Sequence, residues 1–269
     1  MSLPNHTPLN YRIWHYTYLT FCGLVFFFLI APLFVILPLS FNAEQYIHFS
    51  AKMLALDPEG FSLRWYEDMI YGTKNPWGLA TKNSLIIAFF ATIGSTILGT
   101  VAALGLSSRH MPYKAAFMAL LISPMIVPLI ISGTAIFFFM AKVGLAATHT
   151  GIVLSHIILG TPFVVITVTA TLSGFDHSVT RAAASLGSNP VNTFMKITLP
   201  LIMPGVISGA LFAFVTSFDE VVVVLFVGSY KQRTIPWQMF SGIREQISPT
   251  ILSAATLLIL ITIALLTTL

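Results

Sequence analysis

Long apolar runs separated by polar stretches dominate the chain. Six runs approach or exceed the roughly 20 apolar residues that a bilayer-crossing helix needs: about Leu19–Leu39, Asn83–Leu106, Ala115–Met140, Thr150–Leu172, Pro200–Val227 and Pro249–Leu269. Barrel strands would instead alternate apolar and polar side chains over about ten residues. The pattern predicts an all-α polytopic membrane protein of about six transmembrane helices. Pro124 and Pro128 fall inside the third run. They predict a kinked or locally broken helix, tolerable where neighbours satisfy the freed carbonyls. The first run is long for a signal sequence and no small-residue cleavage site follows it, so it reads as a retained helix. No repeat of about 20–50 residues interrupts the pattern. Residues 19–269 therefore read as one membrane domain, preceded by a short N-terminal segment, residues 1–18.

Composition excludes a soluble domain. The chain is 56% hydrophobic and 8% charged, with a mean hydropathy of +0.88. Soluble domains carry about 25% charged residues, so the apolar surplus must face lipid. The net charge is +4 without any Lys/Arg cluster of five or more, which does not point to nucleic acid. Cys22 is the only cysteine, so neither an intramolecular disulfide nor a cysteine metal cage can form. No Gly-rich phosphate loop of the Walker type is present, and no His/Glu/Asp group has metal-ligand spacing. The reading is a non-enzyme without a cofactor of its own, whose energy comes from a partner.

The polar segment Ser173–Leu199 is the most informative. Residues 181–200 read RAAASLGSNPVNTFMKITLP. Arg181 to Leu186 is rich in helix formers. Gly187 can stop that helix in the left-handed conformation, and Ser188 or Asn189 can cap a second short helix after the Asn189-Pro190 turn. Val191, Phe194 and Ile197 then form one apolar stripe. A helix–turn–helix outside the bilayer is expected. On residue physics alone, two readings stand: a knob offered to a soluble partner, or an interfacial helix lying on lipid.

This segment resembles the signature loop of the inner-membrane permease subunits of bacterial ABC importers, whose pattern is Glu-Ala-Ala, three residues, Gly, nine residues, Ile, one residue, Leu-Pro. Ala182, Ala183, Gly187, Ile197, Leu199 and Pro200 match it, and Arg181 stands where the family usually has Glu. The resemblance extends over nearly the whole chain and is closest to the polyamine (spermidine/putrescine) permeases, through SFDEVVVVLF at residues 217–226, residues 234–260 and the stretch from Asn75. It implies a type I importer permease fold, with the loop as a coupling helix in a cleft of a cytoplasmic ATPase. Arg181, Ala182, Ala183, Leu186, Gly187 and Pro190 are then the ATPase-coupling residues. It further implies a second, homologous permease, two ATPase subunits that bind the ATP, and an extracytoplasmic substrate-binding protein. The membrane would be the bacterial inner membrane, with lipids around the helices and the N-terminus in the cytoplasm.

Charge opposes that orientation. It leaves five basic residues inside (Arg12, Arg109, Lys114, Arg181, Lys196) and eight outside (Lys52, Arg64, Lys74, Lys82, Lys142, Lys231, Arg233, Arg244), contrary to the positive-inside tendency. The coupling-loop resemblance therefore sets the orientation.

Asp219 and Glu220 are the only acids within a predicted span, where an ionised group costs about 2.5–3.5 kcal/mol at mid-helix. They lie about 29 Å from the cytoplasmic end, near the outer hydrocarbon edge. Either they line a cation pathway, together with Ser217, Tyr230 and Trp237, or they are interfacial acids paired with Lys231 or Arg233. Tyr230 and Trp237 equally suit an interfacial aromatic belt. His156, inside the fourth run, suits pairing to a neighbouring helix. The expected function is an importer permease for a small cationic, polyamine-like solute. The alternatives are a related importer for opines, amino-acid-like compounds or ferric iron, or a six-helix membrane enzyme or scaffold outside the ABC class.

Overall fold

In the computed structural model the first apolar run forms α1, Leu9–Leu39, a helix of 31 residues. It starts ten positions before the predicted span, because the aromatic residues preceding Leu19 continue the same turns. Residues 8–71, 77–108, 110–245 and 248–267 are described; Lys74, Arg109 and Leu269 lie outside them. The helices that follow are α2 (Ala51–Leu54), α3 (Arg64–Tyr71), α4 (Trp77–Ser107), α5 (Lys114–Ile126), α6 (Leu129–Lys142), α7 (His149–Ser173), α8 (Ser178–Ser185), α9 (Pro190–Thr193), α10 (Leu199–Asp219), α11 (Val222–Val227), α12 (Ile235–Glu245) and α13 (Thr250–Thr267).

Among the described residues, four helices are long and apolar enough to cross a membrane, and the bent pair α5–α6 makes a fifth. The stretch Thr250–Ala264 is apolar but shorter. These six segments correspond to the six apolar runs. The third run breaks by 103°, and the break falls at Val127, whose ψ of 132° is extended. Pro128 forces this, because its ring excludes the preceding residue from the helical region. Pro124 stays inside α5.

The chain divides into two units. The first contains α1 and the segment after it. Trp65 Nε1 donates to Asn42 O at 2.6 Å, Asn42 Nδ2 donates to the carbonyls of Tyr46 and His48, and Ser40 Oγ meets Tyr66 Oη at 2.7 Å. The polar stretch after α1 is thereby an ordered cap rather than a loose loop. On its surface Lys52 and Glu59 pair at 2.6 Å, and the ammonium holds the Glu59 carboxyl below the usual carboxylate range.

The second unit is built on α4, α7 and α10. Val164 of α7 sits between two glycines. A Cβ on Gly99 of α4 would lie 2.5 Å from Val164 Cβ, and one on Gly209 of α10 would lie 2.9 Å from Val164 Cα. Small residues at these crossings let the three backbones approach closely, which is how helices pack where lipid competes for apolar surface. One core cluster contains Val164, Val168, Ile202 and Val206. A second, towards the other end, joins Ile87, Met140, Ile152, Val223 and Val227.

Candidate functional site

The segment between α7 and α10 folds as a capped helical turn. Asp176 opens it: Ser178 donates to its carboxylate from the backbone N–H at 2.8 Å and from Oγ at 2.5 Å. These bonds stabilise the ionised form and hold the Asp176 carboxyl below its usual range. α8 ends in a Schellman turn, with Ser188 N–H bonding Ala183 O and Gly187 N–H bonding Ala184 O, both at 3.0 Å. Gly187 adopts φ of +82°, a conformation nearly closed to other residues. Asn189 Oδ1 then accepts from Asn192 N at 2.7 Å, so Asn189 rather than Ser188 caps α9, while Ser188 Oγ accepts from Thr193 Oγ1.

The turn presents an apolar tip. Leu186 is 89% exposed and Val191 66%. Ala183 is buried, whereas Arg181, Ala182 and Pro190 are exposed. Phe194 and Ile197 are half-buried, so the predicted stripe runs from the exposed tip into the bundle. At the base of the turn a cleft of about 550 Å³ is lined by Ser108, His110, Phe175, Asp176, His177 and Arg181.

The sequence pattern places a boundary between this segment and the fifth span, and the structure corrects it. From Pro190 to Asp219 the backbone is one 30-residue helix. Its join is a π-helical turn, Phe194–Thr198, in which Leu199 N–H bonds Phe194 O. Pro200 lacks an N–H, and its ring would press on the Lys196 carbonyl in an α-turn. The wider turn just before it relieves that contact, so the helix continues through the proline. At 1.5 Å per residue the rod is about 45 Å long.

The far end of the rod also departs from the expected single span, 200–227. The helix breaks at Glu220, whose ψ is 122°, and resumes as α11. A side-chain bond accounts for the break: the Glu220 carboxylate accepts from Val223 N at 2.9 Å, capping α11 instead of continuing α10. Glu220 is 7% exposed. Asp219, by contrast, is exposed; both acids line a cavity of about 350 Å³ with Leu129, Val215, Thr216 and Val221. Leu129 begins α6, so the cavity lies where two broken spans meet. The two neighbours of that cavity differ in their bonding: the Glu220 carboxylate is buried and spent on a backbone N–H, while Asp219 is exposed.

Ser217 does not join Asp219. It is buried and bonds His156 Nδ1 at 2.8 Å, tying α10 to α7. His156 is 1% exposed and has the helix-to-helix pairing expected of it. Tyr230 and Trp237 flank Arg233, whose guanidinium lies 3.2 Å and 4.8 Å from their ring centroids. Sequence reasoning missed Asn83 of α4, whose Nδ2 donates to the carbonyls of Lys231 and Arg233, and His149 of α7, whose Nε2 meets Asn83 Oδ1. Their signal was weak: isolated polar residues at the starts of apolar runs.

A family model described as the binding-protein-dependent transport system inner membrane component matches residues 95–269. The chain is 31% identical to the spermidine/putrescine transport system permease protein PotC of Haemophilus influenzae, over 91% of both chains. It is also 31% identical to the putrescine transport system permease protein PotI of Escherichia coli K12, over 95% of this chain and 89% of that one. A crystal structure of a bacterial ABC transporter involved in alginate import contains a chain that superposes with a TM-score of 0.71. That match covers 95% of this chain and 94% of the other at 15% identity, so the shared property is the fold. This chain belongs to the family of inner-membrane components of binding-protein-dependent transport systems, and it is a multi-pass, non-catalytic ABC permease subunit.

Proposed function

We propose that the chain is one of two permease subunits in an ATP-driven importer of a small cationic, polyamine-like solute. The α8–α9 turn docks in an ATPase subunit at the cytoplasmic face, and Asp219 lines the solute's path. The continuous Pro190–Asp219 helix carries the reading. It leads from the exposed turn at Leu186–Val191 to the cavity at Asp219 without a break in the helix. Closure of an ATPase pair on ATP would displace one end, and a rigid element would move the other, the kind of shift on which alternating access depends.

The cation preference follows from the chemistry of the far end. Asp219 is the carboxylate left uncapped at the break, and it stands at the C-terminus of α10, the negative end of the helix dipole. An ammonium entering there exchanges part of its hydration for a carboxylate and helix-end carbonyls. Two relatives named for polyamine transport agree with this chemistry. The full assembly would add a second permease, two ATPase subunits and an extracytoplasmic binding protein, with the N-terminus of this chain in the cytoplasm.

The test is uptake of labelled putrescine into proteoliposomes that hold the complete complex, with ATP inside and binding protein outside. Leu186→Asp is expected to lower uptake at least roughly tenfold and to strip the ATPase from the purified complex, because burying an unpaired charge in a docking cleft costs several kcal/mol. Insertion into the membrane should persist, since Leu186 touches little of its own chain. Normal ATP-driven uptake by Leu186→Asp, or a wild-type complex without an ATPase, would overturn the reading.

A further inference from the structure

We propose that the cleft at the base of the α8–α9 turn is a headgroup site for a phospholipid of the cytoplasmic leaflet, one that carries both a phosphate and a primary ammonium. The inference rests on the orientation proposed above, which puts this end of the α4/α7/α10 unit at the cytoplasmic surface.

Two spans set the place. α4 ends at Ser107 and α7 at Ser173, and both helices are long and apolar enough to cross a membrane. The cleft opens where they end, with Ser107 and His110 contributed from the α4 side and Asp176, His177 and Arg181 from the turn. That is the depth of lipid headgroups. Phe175 also lines the cleft. It packs against the core cluster that holds Ala103 and Leu172 and meets the His177 ring edge-on, with centroids 5.3 Å apart. The site thus has one apolar wall anchored in the bundle and polar walls around it. Its volume of about 550 Å³ falls within the range of small-ligand sites.

The walls carry both signs of charge. Arg181 and Asp176 line the same cleft, yet among the described residues no ion pair joins them. Asp176 is held by Ser178 instead, whose N–H bonds Oδ1 and whose Oγ bonds Oδ2. Those bonds do most to keep the carboxylate ionised, and the charge of Arg181 adds to them. A guanidinium and a carboxylate kept apart across one cleft match a ligand whose own two charges are held apart. Arg181, with His110 and His177, suits the phosphate, because a guanidinium binds phosphate oxygens in pairs. Basic pockets at the cytoplasmic ends of spans take headgroups for this reason. Asp176 suits the ammonium. The negative ends of two helix dipoles support it, since neither α4 nor α7 has a basic residue in its last turn. A phosphoethanolamine headgroup meets both demands. A purely anionic headgroup would oppose Asp176, and a trimethylated ammonium could not donate to it. Asp176 and Arg181 belong to the turn and Ser107 to α4, so an occupied cleft ties the turn to the end of a span.

The experiment titrates the complete transporter, delipidated in detergent, with phosphatidylethanolamine, phosphatidylcholine or phosphatidylglycerol and counts bound lipid by native mass spectrometry. One phosphatidylethanolamine per copy of this chain should bind on the order of tenfold tighter than either of the others. Asp176→Asn keeps an oxygen for the Ser178 N–H, so the turn stays capped. It should lose the preference and take phosphatidylglycerol as well as phosphatidylethanolamine, an exchange that misfolding cannot imitate. Arg181→Gln should weaken the binding of all three. Equal binding of the three lipids, or a preference unchanged in Asp176→Asn, overturns the site. Soluble phosphoethanolamine that competes as well as the lipid, mole for mole, overturns the lipid as the source of the headgroup. A phosphatidylethanolamine site that appears only after the ATPase is removed assigns the cleft to the ATPase and also overturns the proposal. None of these readouts uses ATP or solute, so each leaves the importer reading standing. Labelling of Leu186→Cys only from the outer side would instead defeat the orientation on which the inference rests.

Discussion

Asp219 and Glu220 are neighbours in sequence with different work to do. Both line the cavity beside Leu129, but Glu220 is buried, accepts the Val223 N–H and stops α10, while Asp219 is exposed. Their substitutions should separate cleanly. Asp219→Asn should lower uptake of a diamine on the order of tenfold, about 1.4 kcal/mol of binding, and Asp219→Glu should recover part of it. Glu220→Gln keeps an acceptor for Val223 and should change little. Glu220→Ala removes a cap and should cost about 1 kcal/mol, read as a lower melting temperature with unchanged solute preference. Equal effects of Asp219→Asn and Glu220→Gln on uptake would contradict this division. Consecutive helix positions point about 100° apart, so the sequence already separates the two acids; where the helix ends depends on which backbone N–H each carboxylate reaches, and that the sequence does not show.

At the scale of the element, the important helix is the one that runs through two prolines and out of a polar segment. Pro200 and Pro204 both lie inside the Pro190–Asp219 rod. The π turn before Pro200 lets it continue. Its packing depends on Gly209, where a Cβ would lie 2.5 Å from Thr167 Oγ1 and 2.9 Å from Val164 Cα. Gly209→Val should push α10 off α7 and destabilise the unit by about 1–3 kcal/mol, seen as a lower melting temperature in detergent. Gly105 offers the control, since nothing lies within 4 Å of a Cβ there; Gly105→Ala should be neutral or slightly stabilising. The Gly187 stop and the cap at its far side were legible from residue type, because left-handed φ and N-capping are local demands. The π join was not, because it answers a clash between Pro200 and a carbonyl one turn away in an already formed helix.

For the whole molecule, a composition of 56% hydrophobic residues requires a lipid surround, and α1, on which the consecutive Phe26, Phe27, Phe28 and Leu29 are all exposed, is the clearest case. The proposed orientation makes a simple demand. In a Cys22→Ser background, Leu186→Cys should react with an impermeant maleimide only from the cytosolic side and Lys231→Cys only from the outer side. Reaction of both from one side would rule out the six-span arrangement. Alone, the sequence determined the class of protein, the number and rough extent of its apolar segments, a kink or break in the run that holds Pro124 and Pro128, and the shape of the α8–α9 turn. Each of these follows from transfer free energy or from backbone limits within a few residues. Only the tertiary structure decided that the turn and the fifth span are one rod, that Ser217 serves His156 rather than the cavity, and that Asn83 organises a loop about 150 positions away. Those outcomes depend on which groups meet once helices have packed, and no local pattern along the chain encodes a meeting at that distance.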